Sequence, residues 1–289
     1  MKQHSECLVC QSSRLKPLPR YSKTFLVKCL ACGFVFSKKI PDTEELEKHY
    51  SGYHRNDYLS PITVKRYHEI LDKMEVFRKT NRIIDVGCGI GYFLDEAKKR
   101  GWEVYGTEYT QEAVDICEQK GILMHKGPLN TANYSPESFD IITSFEVIEH
   151  INNPLEEVIR FKEMLRPGGL VYITTPNFDS LLRYRLKEKY NVITYPEHLS
   201  YYTPKTIKRL FKNNGFKTQE IQTTGISLTR LRTSLGTTDE GFVAETSSDE
   251  RLRSLTEAKW YLRLGKSTAN SLLTFFGVGD SLKAWFIKK

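Results

Sequence analysis

Residues 82–93 read RIIDVGCGIGYF, and the fold turns on what surrounds these three glycines. The segment RIIDV is a short β-branched, apolar run bounded by glycine, the composition of a buried strand. The residues that follow, YFLDEAKKRG, carry apolar side chains at helical spacing and stop at Gly101. A strand, a glycine turn and a helix in that order form a ligand-binding corner. The spacing of Gly87, Gly89 and Gly91 is GxGxG. A dinucleotide-binding turn places its third glycine one position later, where this chain has Tyr92.

Outward from the turn the pattern repeats. TVKRYHEILDKMEVFRK before it has helical spacing. After it, WEVYGTE reads as a strand, QEAVDICEQKG as a helix and ILMHK as a strand. FDIITSFEV is again a strand, PLEEVIRFKEMLRPGG a helix and LVYITT a strand. Strands alternating with helices of this length predict a parallel sheet covered on both faces. Asp85, just before the turn, would face a pyrophosphate badly but suits a ligand with a cationic end. Glu108 closes the second strand, where a carboxylate accepts hydrogen bonds from ribose hydroxyls. A phosphate-free nucleoside carrying positive charge fits S-adenosylmethionine.

Five stretches in order, DVGCGIGYF, GTEYT, SFDIITSFEVIEH, LRPGGLVYITTPN and PEHLSYYTPKTIKRLFKNNGF, resemble the class I S-adenosylmethionine-dependent methyltransferases from about residue 60 onward. The resemblance implies an α/β, Rossmann-like, seven-stranded sheet with helices on both faces and an antiparallel last strand. DSLKAWFIKK would be that strand and FKTQEIQT its hairpin partner. It also implies a cofactor pocket: the methionine end over Gly87, Cys88, Gly89 and Gly91, the ribose on Glu108, the adenine beside Tyr109 and Leu129, with Asp85, Tyr92 and Phe145 also lining it. The chain departs from many relatives at Pro128, where they carry an acidic residue toward the adenine amino group.

A second cluster sits in SFEVIEHINNP, residues 144–154. Asn153 is a good N-cap and Pro154 a good first helical residue, so residues 146–152 form the loop beyond a central strand. Three readings of Glu146, Glu149 and His150 stand side by side. The glutamates satisfy backbone donors and the histidine packs. Or His150 is a general base for an attacking hydroxyl. Or Glu146, Glu149 and His150, joined by His198 from YPEHLSYY, hold Mg or Mn against neighbouring substrate hydroxyls. The E-x-x-E-H pattern resembles that of ubiquinone-biosynthesis O-methyltransferases and, with a downstream histidine, that of small-RNA 3′-terminal 2′-O-methyltransferases. Oxygen nucleophiles need a base or metal more than amines do, which favours O-methylation.

Four of the six cysteines lie in the first 32 residues, as CLVC (Cys7, Cys10) and CLACG (Cys29, Cys32). Two CxxC turns brought together by a short hairpin give a closed tetrathiolate site, which predicts structural zinc, with rubredoxin-like iron the rival. The expected organisation is a zinc ribbon over 1–42, an aromatic linker and leading helix over 43–80, and the cofactor-binding domain over 81–289. Aromatics gather at Tyr50, Tyr53, His54 and Tyr58, and at Tyr190, Tyr195, Tyr201 and Tyr202. Residues 226–278 read as a helical insertion, a lid or a dimer surface. Its arginines suit phosphate or merely a solvated face.

The chain has 289 residues and a formal net charge of +8, which permits an anionic partner. No apolar run reaches membrane-spanning length and the N-terminus has no apolar signal core, so the expectation is a cytoplasmic protein. The leading functional expectation is O-methylation of a small molecule, a sugar or sugar nucleotide; ribbon plus methyltransferase resembles bacterial polysaccharide- and sugar-modifying enzymes. The alternatives are a Mg- or Mn-dependent RNA 2′-O-methyltransferase and a non-catalytic ribbon that docks a partner.

Overall fold

The computed structural model describes residues 2–42, 44–46, 58–237 and 248–289. Tyr50, Tyr53 and His54 of the expected aromatic linker, and most of the polar break in the insertion, lie outside the described residues. The main sheet has seven strands. In chain order they are β4 (Arg82–Val86), β5 (Glu103–Glu108), β6 (Leu123–Lys126), β7 (Phe139–Phe145), β8 (Leu165–Pro176), β10 (Phe216–Thr224) and β11 (Ser281–Lys288). Their spatial order is β10-β11-β8-β7-β4-β5-β6. β11 is antiparallel to both neighbours, and the remaining pairs are parallel. The chain leaves β4 toward β5 and β6, then returns to β7 on the other side. The carboxyl ends of β4 and β7 therefore flank the switch point where such sheets bind ligands.

Helices α1 (Pro61–Met74), α2 (Tyr92–Lys99), α3 (Gln111–Gln119) and α4 (Pro154–Met164) cover the parallel part. One face buries Leu71, Met74, Phe93, Leu94, Trp102 and Tyr172; the other buries Phe139, Val158, Phe161, Phe211 and Phe286. Asp140, fully buried, fixes the strand entrances. Its carboxylate accepts from Lys79 N and Asn81 N at 2.8 Å each and pairs with Arg166. The helix expected to run through Gly169 stops at Met164, and β8 starts at once. Pro167 disfavours helix at the residue before it, and a Cβ on Gly169 would come within 2.9 Å of Asp140 O. Asn153 caps α4 as expected, accepting from Glu156 N at 3.4 Å.

The ribbon is a small antiparallel sheet, β1 (Leu15–Pro17), β2 (Leu26–Cys29) and β3 (Val35–Ser37). Its fourth strand comes from far down the chain: β9 (Ser200–Tyr201) pairs with β3. Cys7, Val27, Phe34 and Phe36 belong to the same apolar cluster as Ile148 and Tyr202. The ribbon is thus fused into the body. Helix α5 (Leu181–Leu186) precedes β9; after it come α6 (Pro204–Asn213) and the helices of the insertion, α7 (Leu228–Ser234), α8 (Ser248–Ala258) and α9 (Trp260–Phe276).

Candidate active site

The glycine turn is built from backbone. Gly87, Gly89 and Gly91 have φ of 72°, 54° and 73°, the left-handed region that glycine enters without strain. Gly87 N and Cys88 N both donate to Thr107 O at 3.0 Å, tying the turn to β5. A Cβ on Gly87 would meet Val147 Cγ2 at 2.6 Å, and one on Gly91 would meet Ile122 Cδ1 at 2.6 Å. Gly89 differs, because a Cβ there meets nothing within 4 Å. It faces open space, as the floor of a ligand site should.

Two carboxylates border that space. Asp85 is 3% exposed, and its Oδ1 accepts from Thr143 Oγ1 at 2.7 Å. Burial, which outweighs the Thr143 hydrogen bond, pushes the carboxyl up to about 7. A cationic ligand nearby would favour its ionised form. Glu108 Oε2 accepts from Gly89 N at 3.0 Å, while its Oε1 accepts from Tyr109 N at 2.6 Å and Thr110 N at 3.4 Å. It is therefore held at the edge of the turn, beside exposed Tyr109. Phe145 stacks obliquely on Phe93 at 4.9 Å, with Tyr67 of α1 at 6.1 Å. The Tyr92 ring carries Lys120 Nζ at 4.7 Å, and Leu129 is buried in the main core. Cys88 belongs to the turn through its backbone. Its side chain turns behind the loop toward Met124 Sδ (4.0 Å) and Gly106, and its N–H is taken by Thr107, so it shapes the turn from behind.

The loop after β7 makes the second site. Glu149, His150 and His198 offer three ligand atoms that all lie within 4.8 Å of one another. Each imidazole is oriented through Nδ1: His150 donates to Glu197 O at 2.7 Å and His198 to Val192 O at 2.6 Å. This leaves both Nε2 lone pairs for the site, the arrangement seen when a carbonyl fixes a ligating or basic histidine. Glu149 is 2% exposed, accepts from Thr175 Oγ1 at 2.9 Å, and stands 4.0 Å from His150 Nε2. Burial, then the Glu146 charge, raises its carboxyl well above the ordinary range. Burial lowers His150, and burial with the His150 charge lowers His198 to about 4. Burial thus disfavours charge on all three groups of the corner. Glu146, the fourth residue of the expected set, is not among these clustered ligand atoms but acts on Glu149 and His150 through its charge. Its backbone turns left-handed (φ 54°) as β7 ends and leaves the side chain exposed.

Sequence reading singled out the arginines of the insertion but missed Lys283. Lys283 on β11 pairs with Thr174, which pairs with Phe145, so the lysine lies one strand from the end of β7. It has no hydrogen-bond or ion-pair partner among the described residues. Burial, then Arg66 and Arg253, against the pull of Glu146, bring its ammonium down to about 8, with Lys266 adding to the push. From α7, Arg230 donates to Tyr190 Oη at 3.4 Å and acts electrostatically on Glu149 and His198.

At the other end, Cys7 Sγ and Cys32 Sγ are 3.5 Å apart, and Cys10 Sγ and Cys29 Sγ 3.6 Å. All four sulfurs fall within 4.8 Å of one another. A tetrahedral thiolate site with bonds of about 2.3 Å has sulfur–sulfur edges of about 3.8 Å, so the cysteines fit a closed zinc site.

The profile described as "Methyltransferase domain" matches residues 54–221, more than half of the chain. The chain belongs to the methyltransferase-domain family. The cysteine ribbon lies outside the matched span of this family. A curated relative, Ubiquinone biosynthesis O-methyltransferase of Roseobacter denitrificans, is 28% identical over 129 residues, covering 43% of this chain and 52% of its own length. The protein of the same name from Haemophilus ducreyi is 29% identical over 155 residues, covering 47% and 65%. The chain thus spans between half and two thirds of the length of these methyltransferases. A solved SAM-dependent methyltransferase from Archaeoglobus fulgidus superposes with TM-score 0.51 at 18% identity, over 86% of this chain and 100% of the other. That likeness shows the fold, the seven-stranded α/β sheet expected from sequence. No helix among the described residues is long and apolar enough to cross a membrane.

Proposed function

We propose that the chain transfers a methyl group from S-adenosylmethionine to a hydroxyl of a small anionic acceptor, a sugar nucleotide. The observation that carries this reading is the pairing of two sites on one rim: an open glycine floor with a buried, cation-seeking Asp85, and beside it two Nε2 lone pairs with one carboxylate. S-Adenosylmethionine supplies a methyl on a sulfonium, a leaving group that needs no further activation. The chain has to bind it, aim the acceptor oxygen along the far side of the methyl, take one proton and exclude water. Asp85 and Glu108 take the binding role, with the backbone of residues 87–91. His150 Nε2, which faces Glu149, takes the proton, with Nδ1 held by Glu197 O. Glu149 then lies within 4.0 Å of the imidazolium and can stabilise its charge.

The same three residues would hold a divalent ion, a Lewis acid beside the acceptor hydroxyl. Two imidazoles and one carboxylate suit Mn or a later first-row ion better than Mg. The names of the relatives, O-methyltransferases, favour an oxygen acceptor. Lys283, with Arg66, Arg253 and Lys266 in electrostatic reach, favours an acceptor that carries phosphate. Zinc in the ribbon completes the set of bound groups.

The test is a methyl-acceptor screen across nucleoside-diphosphate sugars, neutral sugars, catechols and short RNAs, read as release of the demethylated donor. Turnover with the sugar nucleotides, and little with neutral sugars, is expected. Turnover only on RNA, falling steeply with salt, would replace the acceptor in this reading. Failure of well-folded protein to bind either donor or demethylated donor in a calorimeter would end it.

A further inference from the structure

We propose that the cysteine ribbon positions the acid–histidine corner: β3 clamps residues 197–202, and through them His198, Glu149 and His150. The inference rests on the corner being the acceptor side of the reaction, but the clamp itself can be measured without turnover.

The path runs entirely through named contacts. Cys29 ends β2 and Cys32 stands just before β3. The knuckle between them closes with Gly33 N donating to Cys29 O and Cys29 N to Phe34 O, at 2.9 and 2.8 Å. Thiolates fixed on zinc therefore fix where β3 begins. β3 then pairs Val35 with Tyr201 and Phe36 with Ser200, and Ser37 N extends the ladder to Leu199 O at 2.8 Å. On its other edge the same segment is held by Glu149, whose carbonyl accepts from Leu199 N at 2.8 Å and Ser200 N at 2.9 Å. Leu199 and the β9 strand that follows it are wedged between the ribbon and the corner. His198 precedes that strand, and its carbonyl accepts from Tyr201 Oη at 3.1 Å. Glu197, one residue earlier, gives the carbonyl that orients His150.

Two side-chain ties reinforce the clamp. Phe34 packs on Tyr202 at 5.2 Å, and Tyr202 Oη donates to Ile148 O at 3.4 Å. His4 Nε2 hydrogen bonds Asn152 Oδ1 at 2.8 Å. All of these ties end on residues 148–152 or 197–202, on the acceptor side rather than at the glycine turn. Short ribbon strands with a small core of their own depend on the metal for order. Order at the thiolates is thereby passed to two imidazoles that belong to another part of the sequence. Phe34 and Phe36 are positioning residues in this scheme.

The experiment uses the full, zinc-loaded chain and the substitution Phe34→Ala. Hydrogen exchange at the Leu199 and Ser200 amides should accelerate by about 100-fold. The kcat should fall by about tenfold or more, with affinity for the demethylated donor held within about twofold. Leu71→Ala, a truncation on α1 in the core of the opposite sheet face, should lower Tm without moving those two amides. If Phe34→Ala does not fold, Phe34→Leu is read the same way, with about a tenfold change in exchange. Unchanged exchange at both amides would overturn the proposal. So would a loss of donor affinity in step with the loss of protection, which would make the ribbon a support for the whole fold. Faster exchange in a protein that methylates none of the acceptors tried would leave the clamp standing and count against the proposed reaction.

Discussion

The glycine crevice and the acid–histidine corner share one rim of the sheet but are made in opposite ways. The crevice is local: Asp85, the turn and Glu108 come from 24 consecutive residues, and most of its contacts are backbone. The corner gathers Glu149 and His150 from one loop, His198 from another, and its outer wall from the ribbon. Backbone sites tolerate drift in side chains and hold a ligand common to many reactions. Sites assembled across the sequence can change their chemistry without disturbing that ligand. The two regions should therefore fail separately when altered.

The largest effect should separate them cleanly. Glu149→Gln or His150→Ala is expected to cut turnover by about 10² to 10⁴-fold, with affinity for the demethylated donor unchanged by calorimetry. Loss of that affinity as well would erase the distinction. The converse break is Gly89→Ala. The added methyl meets no protein atom but sits at φ 54° and intrudes on the crevice floor. Donor affinity should drop by about 10- to 100-fold, while stability falls by only about 1 kcal/mol.

Asp85 sharpens the comparison through pH. Its carboxyl is raised from an ordinary 3.8 to about 7. In the free protein the folded state therefore holds the proton longer than the unfolded one, so this group's contribution to stability falls as pH rises from about 4 to about 7. A cationic ligand selects the ionised carboxylate, so donor affinity should rise from pH 6 to 8 and then level off, with proton release near neutrality. Asp85→Asn should abolish that slope and weaken binding about tenfold. The smallest effect belongs to the mouth. Lys283→Met should raise KM for a phosphate-bearing acceptor about five- to tenfold and leave donor affinity alone.

The crevice was legible because its chemistry is written in adjacent letters. The GxGxG spacing, the preceding aspartate and the strand-closing glutamate need no tertiary information, and neither does the Asn153-Pro154 helix start. The corner was half legible. The acids and histidines stood out as poor core material, yet Glu146 was grouped with them because sequence spacing does not reveal a left-handed turn at a strand end. Lys283 left a signal, since alternation in β11 puts it on the face of Trp285, but only strand order carries that face to Phe145. β9 is two residues long, too short for any periodicity, so the fusion of ribbon and body was invisible. The end of α4 was misplaced because helical spacing in LRPGG competes with a proline whose effect falls on its neighbour.

Val147 leans against Gly87 so closely that no β-carbon fits between them. It lies two residues before Glu149 on the same loop. On the proposed reading of crevice and corner, a donor that displaces the turn also displaces the loop that receives the acceptor. The two binding steps then share a free energy, and each compound should tighten or loosen the other by the same factor. Obligatory order in the kinetics, donor ahead of acceptor, is the form this reciprocity takes when the factor is large.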